Sequence, residues 1–216
     1  MKVKILFLLI LVSKKLKVTA ITIECLYGST HWWQSDETYK ECKVKNVMIF
    51  DGSQVNIEDV QDSNHSNWDN NQINAIHIET APNMYYFPSG MKTVFKNLIQ
   101  IAITGSKLVK IKNKDLEVFP ELKNLYLNSN AIEFIVGPLF KFNLELEIID
   151  LSYNKISLYD YRTFEQLPKL RFLDLRENIC KYLSFEITRE KVIEMVQNME
   201  KNYCQIAPNN FNDEYY

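Results

Sequence analysis

Glycine is scarce in this sequence, with five residues among 216, and histidine scarcer still, with three. No glycine falls in a G-x-G-x-x-G or G-x-x-x-x-G-K run, and Gly105-Ser106-Lys107 sits in a turn, so no loop is built to cradle a phosphate. His31, His65 and His77 stand in three separate segments. No H-E-x-x-H occurs and no serine lies in G-x-S-x-G, so the groups that hydrolytic chemistry needs are not brought together by any motif. The four cysteines have no pair at the two-to-four-residue spacing of zinc ligands. These absences give an expectation of no enzyme activity, no cofactor and no metal.

Long apolar runs are missing except at the start. Residues 1–20 open with Lys2 and Lys4, run through an apolar stretch from Ile5 to Val12 and close on the small-residue pattern Val18-Thr19-Ala20. That reads as a signal peptide, since a bilayer needs about 20 apolar residues. The segment holds five lysines and no acid, so its removal takes Lys+Arg from 25 to 20 against 27 Asp+Glu, a net charge of −7. An acidic protein has little with which to neutralise phosphates, so nucleic acid is discounted as a partner, and membrane insertion is not expected. The product expected is secreted and extracellular, where an even number of cysteines implies disulfides.

What the sequence does have is a repeat. Leu98-x-x-Ile101-x-Ile103, Leu122-x-x-Leu125-x-Leu127, Leu146-x-x-Ile149-x-Leu151 and Leu170-x-x-Leu173-x-Leu175 recur every 24 residues, and Ile73-x-x-Ile76-x-Ile78 stands 25 residues before the first. Three residues past the last apolar position lie Asn130, Asn154 and Asn178, with Ser106 and Ala81 in the early copies. Alternation of apolar and polar residues predicts a short strand in each copy. One copy cannot bury its apolar side alone, but stacked copies can. A buried Asn offers two donors and an acceptor to the turn between coils; Ser106 supplies part of this and Ala81 none, so the N-terminal repeats should be less regular. Phe95, Phe119 and Leu167, with Phe140 and Phe164, should fill the convex side, while Asn143 breaks the first of these columns.

The copies LKNLYLNSNAI and LEIIDLSYNKI resemble the leucine-rich-repeat family, whose repeat is L-x-x-L-x-L-x-x-N-x-L. The resemblance implies an α/β fold: a leucine-rich-repeat solenoid, or short horseshoe, of about five 24-residue repeats with disulfide-bonded caps. The expected divisions are a signal peptide (1–20), an N-terminal cap and polar loop (21–72), repeats (73–180), a helical C-terminal cap (181–204) and a disordered acidic tail (205–216). Cys25 and Cys42 flank a segment with Trp32, Trp33 and Tyr39, and residues 42–49 alternate like an edge strand. Cys180 takes the last repeat's final apolar place, and Cys204 follows Val192, Val196, Met199 and Tyr203, spaced as on one helix face. Of three possible pairings, Cys25–Cys42 with Cys180–Cys204 is chosen, because the repeats hold the ends too far apart for the others. Residues 61–72 read as a mobile polar loop, within which Asn64-His65-Ser66 is a glycosylation triplet.

The outward strand positions carry the candidate site. Asn124, Tyr126 and Asn128, then Asp150 and Asp174 in one column with Arg176 near, form a strip about 20 Å across five strands at their usual spacing. Aromatic and Arg side chains often anchor interfaces, and the acids would favour a basic patch on a partner; alternatively these are ordinary solvated residues, with Asp174 and Arg176 compensating each other. The expected function is an extracellular protein-recognition module docking a secreted or cell-surface protein on its concave face. The alternative is a structural or scaffolding matrix component that self-associates, so homo-oligomerisation stays open. Length, cap style and phrases such as LDLRENIC are similar to short secreted insect proteins of the family, including mosquito immune ones, which implies a setting in innate defence. Leu127→Asp is expected to unfold the domain, and Tyr126→Ala to weaken binding with folding intact.

Overall fold

The structure, a computed structural model, describes residues 18–32, 35, 37–50, 53–180, 185–186, 188–199 and 205–206. In chain order these form β1 (Thr19–His31), β2 (Thr38–Val44), β3 (Val55–Asp62), β4 (Ala75–Glu79), α1 (Met91–Val94), β5 (Gln100–Thr104), α2 (Asn113–Leu116), β6 (Asn124–Tyr126), β7 (Phe134–Ile135), β8 (Ile148–Asp150), β9 (Leu158–Tyr159), α3 (Arg162–Glu165), β10 (Phe172–Asp174), β11 (Phe185–Glu186), α4 (Arg189–Met199) and β12 (Gln205–Ile206). One nine-stranded sheet runs β11-β10-β8-β6-β5-β4-β2-β1-β3, and β12-β9-β7 form a second.

The repeat sets the sheet. Each coil returns its chain one strand further on, so β4, β5, β6, β8 and β10 are parallel, and Ile76, Ile101, Leu125, Ile149 and Leu173 stand opposite one another. These five are fully buried, as are Ile78, Ile103, Leu127 and Leu151 in the next column. On the return path Phe95, Phe119, Phe140, Phe164 and Leu167 fill the core, the rings of Phe140 and Phe164 lying 6.0 Å apart. The register expected from the repeat is the one observed.

Asparagine ties the coils together. Asn130 Nδ2 donates to the carbonyls of Ile103 and Leu127, while its Oδ1 accepts from the Leu108 N–H. Asn154 and Asn178 repeat the pattern on Leu127 and Leu151, and on Leu151 and Leu175, with Ile132 N and Ile156 N as donors. Ser106 manages a lesser version, accepting from Ala81 N and donating to Thr104 O. One place before this column the backbone turns left-handed at Thr80, Gly105, Ser129, Tyr153 and Glu177, a conformation that L-residues adopt only when the surroundings hold it. Here successive strands hold it, as in the bond from Tyr153 N to Arg176 O. Asn143 is no flaw in its column. Fully buried, it donates to the carbonyls of Leu116 and Phe119, stitching the convex side as the other asparagines stitch the turns.

The N-terminal cap departs from expectation in two respects. β2 is an interior strand, parallel to β4 and antiparallel to β1, and the sheet edge is β3; the sequence alternation marked a strand but not its neighbours. Cys25 and Cys42 are joined across β1 and β2, with Cα atoms 5.1 Å apart. Residues 61–72 are not a loose loop. Asp62 accepts from Asn64 N, Ser66 N and Ser66 Oγ, Asn64 pairs by both ends of its amide with the Tyr27 backbone, and Asp69 caps a short 3-10 turn at Asn70–Gln72. Side-chain hydrogen bonds order a segment whose composition offers no core.

At the other end α4 packs against α3, β10 and β11 with Val192 and Met195 buried. Cys180 is disulfide-bonded, and Cys204, its expected partner, lies outside the described residues, as do residues 1–17 and 207–216. β12 pairs with β9, so the segment expected as a disordered tail begins in a strand. β1 likewise begins at Thr19, with Thr19 and Ala20 paired to Val55 and Asn56, two residues before the expected end of the signal segment.

Candidate functional site

The outward columns extend further than the repeats do. Through β2 they read Glu41, Ala75, Gln100, Asn124, Ile148, Phe172 and Lys43, His77, Ala102, Tyr126, Asp150, Asp174. The structure therefore brings Asn124, Tyr126, Asp150 and Asp174 together as expected, with Asn128 and Arg176 one step further along their strands.

The centre of this strip is not open to solvent, however. Trp32, just past the end of β1, lies flat on Tyr126, ring centroids 4.5 Å apart and planes at 21°. It meets His77 edge-on at 5.1 Å and rests against the apolar cluster Ala102, Tyr126, Ile148 and Phe172. Tyr126 keeps 1% of its surface exposed and Asn124 2%. The same turn is anchored beside the indole: Asn124 Nδ2 donates to Tyr39 Oη at 2.6 Å, Tyr39 Oη shares a hydrogen bond with the buried Ser35 Oγ, and Lys123 Nζ meets Glu37 at 2.7 Å. The expectation that Tyr126→Ala leaves folding intact is thereby corrected, because Tyr126 is a buried partner of the molecule's own cap.

Toward β10 the columns themselves stay buried, and the exposed residues stand past the strand ends. Asp174 is buried and held by Arg176, whose Nη2 lies 2.7 Å from Oδ2; the hydrogen bonds to Asp174 raise the Arg176 pKa. Asp150 accepts from Ser152 N and Oγ at 3.0 and 2.7 Å. Its pKa is raised, first by burial and then by the Asp174 charge, with the Ser152 bonds opposing. Arg176 is exposed and Asn128 half-buried. Beside Arg176 stands Tyr153, 60% exposed, in the left-handed position that turns its side chain away from the stack. Two residues of consequence were thus not singled out from the sequence: Trp32, which meets His77 on β4 and the apolar cluster on β5, β6, β8 and β10, and Tyr153, which the slot before Asn154 in the repeat would have marked.

The fold is a leucine-rich-repeat solenoid. Residues 120–178 match the family described as Leucine rich repeat. No curated protein matches the chain. Among solved structures it is similar to one of the Toll–Spatzle complex, described as a molecular hub in Drosophila development and innate immunity, at 15% identity and a TM-score of 0.41 over 58% of this chain and 20% of that one. It is also similar to a leucine-rich-repeat protein of Leptospira interrogans at 17% identity and a TM-score of 0.39, over 58% of this chain and 36% of that one. The chain thus corresponds to about a fifth and about a third of those two. Leucine-rich-repeat folds commonly serve as protein-interaction modules. No helix among the described residues is long and apolar enough to cross a membrane.

Proposed function

We propose that this chain is an extracellular protein-recognition module, exported by residues 1–20, that docks a secreted or cell-surface protein on the exposed rim of the C-terminal half of its strand face. The observation that carries the reading is the exposed Tyr153 beside Arg176, set on the rigid column of Asp150 and Asp174 with Asn128 at the rim. Exposed aromatic and Arg side chains on a preorganised surface are the usual anchors of an interface, and here the sheet, not a loop, holds them in place. The Cys25–Cys42 disulfide supports an oxidising compartment. Innate defence as the setting rests on the likeness to short insect proteins alone. Asn64 stays the candidate glycan site: a glycosylated amide nitrogen keeps one hydrogen, which can still serve the Tyr27 carbonyl.

The test is capture from the source's extracellular fluid with wild-type protein and with the double variant Tyr153→Ala, Arg176→Ala, melting curves run in parallel. A partner held by wild type and lost by an equally stable double variant is the expected result. Equal capture by both sinks this site. A self-associating scaffold, the alternative, would need an edge to add to, and the outer strand β3 carries Glu58, Asp59 and Asp62, charges of the kind that protect an edge from pairing.

A further inference from the structure

Trp32 fits its place on the face well in one respect and poorly in another. Its ring has a stacking plane in Tyr126, an edge contact in His77 and an apolar floor in Ala102, Ile148 and Phe172. Yet Gln100 Nε2 and Tyr126 Oη beneath it are buried without a hydrogen-bond partner. Its indole Nε1 and Glu41 Oε1 lack a well-formed one, although burial raises the Glu41 pKa and the indole, acting on the carboxylate as a donor, lowers it. Among the described residues only Asn143 Oδ1, on the convex side, shares that condition. Glu41, Gln100 and Tyr126 are at least nine-tenths buried, and all belong to the two columns that the Trp32 turn overlies. Elsewhere the molecule satisfies its buried polar groups with care, as the asparagine ladder shows. A concentration of unpaired donors and acceptors beneath one aromatic ring is what a site looks like when its occupant supplies the ring but not the polar contacts.

We propose that this seat is a receptor for an aromatic side chain, filled in cis by Trp32, and that a partner polypeptide enters it by presenting an aromatic residue of its own with peptide groups alongside. The aromatic ring takes over the Tyr126 stack. The peptide groups that flank a ring serve Gln100 Nε2 and Tyr126 Oη, which the indole of Trp32 leaves unmet. Stacking geometry and the T-shaped His77 contact select a flat ring over an aliphatic side chain. The proposal deepens the reading of the strand face as a docking surface, placing a specificity pocket at its centre.

Protonation supplies a reporter. Burial pushes the His77 pKa down to about 4, with Lys43 adding to the fall and Glu79 opposing it. Around the ring stand Glu41 Oε1 at 4.0 Å from Nδ1, Thr104 Oγ1 at 3.1 Å from Nε2, and the Lys43–Glu79 ion pair. Removing Trp32 hydrates this pocket and lets His77 rise toward its ordinary value of about 6.5.

The experiment is a titration of N-acetyl-tryptophanamide into Trp32→Ala protein, followed by NMR of the His77 and Tyr126 ring signals. N-acetyl-tyrosinamide and N-acetyl-leucinamide serve as comparison ligands. The expected result is saturable binding of the aromatic amides with Kd on the order of 1 mM, with the leucine amide at least roughly tenfold weaker. The His77 pKa should rise in the free variant and fall again when the site is filled, and wild type, already occupied, should bind roughly tenfold more weakly. Trp32→Leu, which keeps an apolar cover, carries the same titration if Trp32→Ala fails to fold. Signals of His77 and Tyr126 that stay fixed in a folded variant, or equal binding of the leucine amide, would overturn the proposal. Neither outcome touches the Tyr153 and Arg176 capture result, so the two ideas fail separately.

Discussion

The two halves of the strand face share one register and differ in what lies on them. Toward β2 the columns hold Glu41, Gln100, His77 and Tyr126 under the Trp32 turn; toward β10 they hold Asp150, Asp174 and Arg176, with Tyr153 and Ile179 each 60% exposed. The same division runs through the stitching behind the face. The later coils carry Asn130, Asn154 and Asn178, each serving the coil before it and its own, while the earlier ones make do with Ser106 and Ala81. The half with the weaker ladder is the half that a disulfide-bonded hairpin braces and covers. A solenoid coil is stabilised by its neighbours, so a short stack can trade internal hydrogen bonds at one end for a cap that folds over it.

The largest test breaks both halves together. Leu127 is fully buried where the two meet, and Leu127→Asp forces a carboxylate into an apolar stack, where an unpaired charge is far more costly than any single contact nearby can offset. The variant should be absent from the secreted fraction and show no cooperative melt. Normal yield with an unchanged melting curve would refute the register. Less drastic substitutions then separate the halves. Asn154→Ala strands the Ile132 N–H and takes one donor each from the Leu127 and Leu151 carbonyls, which Asn130 and Asn178 still serve; at about 1–3 kcal/mol for the stranded group and about 0.5–1.5 kcal/mol for each lost bond, the expected loss is about 3 kcal/mol. For a domain of this size that is a fall in Tm of roughly 10 °C. Ser106→Ala strands only the Ala81 N–H and should fall by about 3 °C on the same scale. Equal losses would mean that the ladder is not what distinguishes the ends.

How much of this could be read from the residues follows the same line. The 24-residue period placed five strands, both outward columns and the asparagine turns, because each depends on neighbours at a fixed spacing. The cap was partly hidden. β1 and β3 have no repeat to announce them, and the order of residues 61–72 comes from Asp62, Asn64 and Asp69 bonding to nearby backbone, which composition reads as looseness. Trp32 was hidden altogether as a cover, since its contacts with His77, Tyr126 and Phe172 span from 45 to 140 residues of sequence and obey no period. For the same reason the six candidate residues were placed correctly in the register but wrongly in exposure: four of them, Asn124, Tyr126, Asp150 and Asp174, are buried.

Acid should act on the covered half. His77 resists protonation until about pH 4 while the Trp32 turn is closed, whereas an uncovered or unfolded chain takes up its proton near pH 6.5. The depressed pKa therefore favours the closed form fully above about pH 6.5, and that advantage is lost as pH falls toward 4. Glu41, raised by burial, works in the opposite sense by gaining a proton in the closed form. Exchange of the Trp32 indole N–H should accelerate between pH 6.5 and 4 in wild type more than in His77→Asn, at equal global stability. Identical profiles would detach His77 from the cover.

The smallest effect expected decides what holds the cover down. Lys123 and Glu37 approach to 2.7 Å at the outer end of the Trp32 turn, with side chains 32% and 47% exposed. A pair that open to water is worth about 0.2–1 kcal/mol and weakens in salt. The buried side of the same turn is different in kind: Tyr39 Oη receives the Asn124 amide in a place that water does not reach, and Trp32 stacks on Tyr126. Glu37→Gln should therefore lower Tm by only about 1–3 °C, with the gap to wild type closing by 0.5 M salt and the His77 pKa unmoved. If instead His77 titrates near 6.5 in Glu37→Gln, the ion pair and not the ring keeps the turn closed, and the contrast between a covered half and an exposed rim becomes a matter of ionic strength.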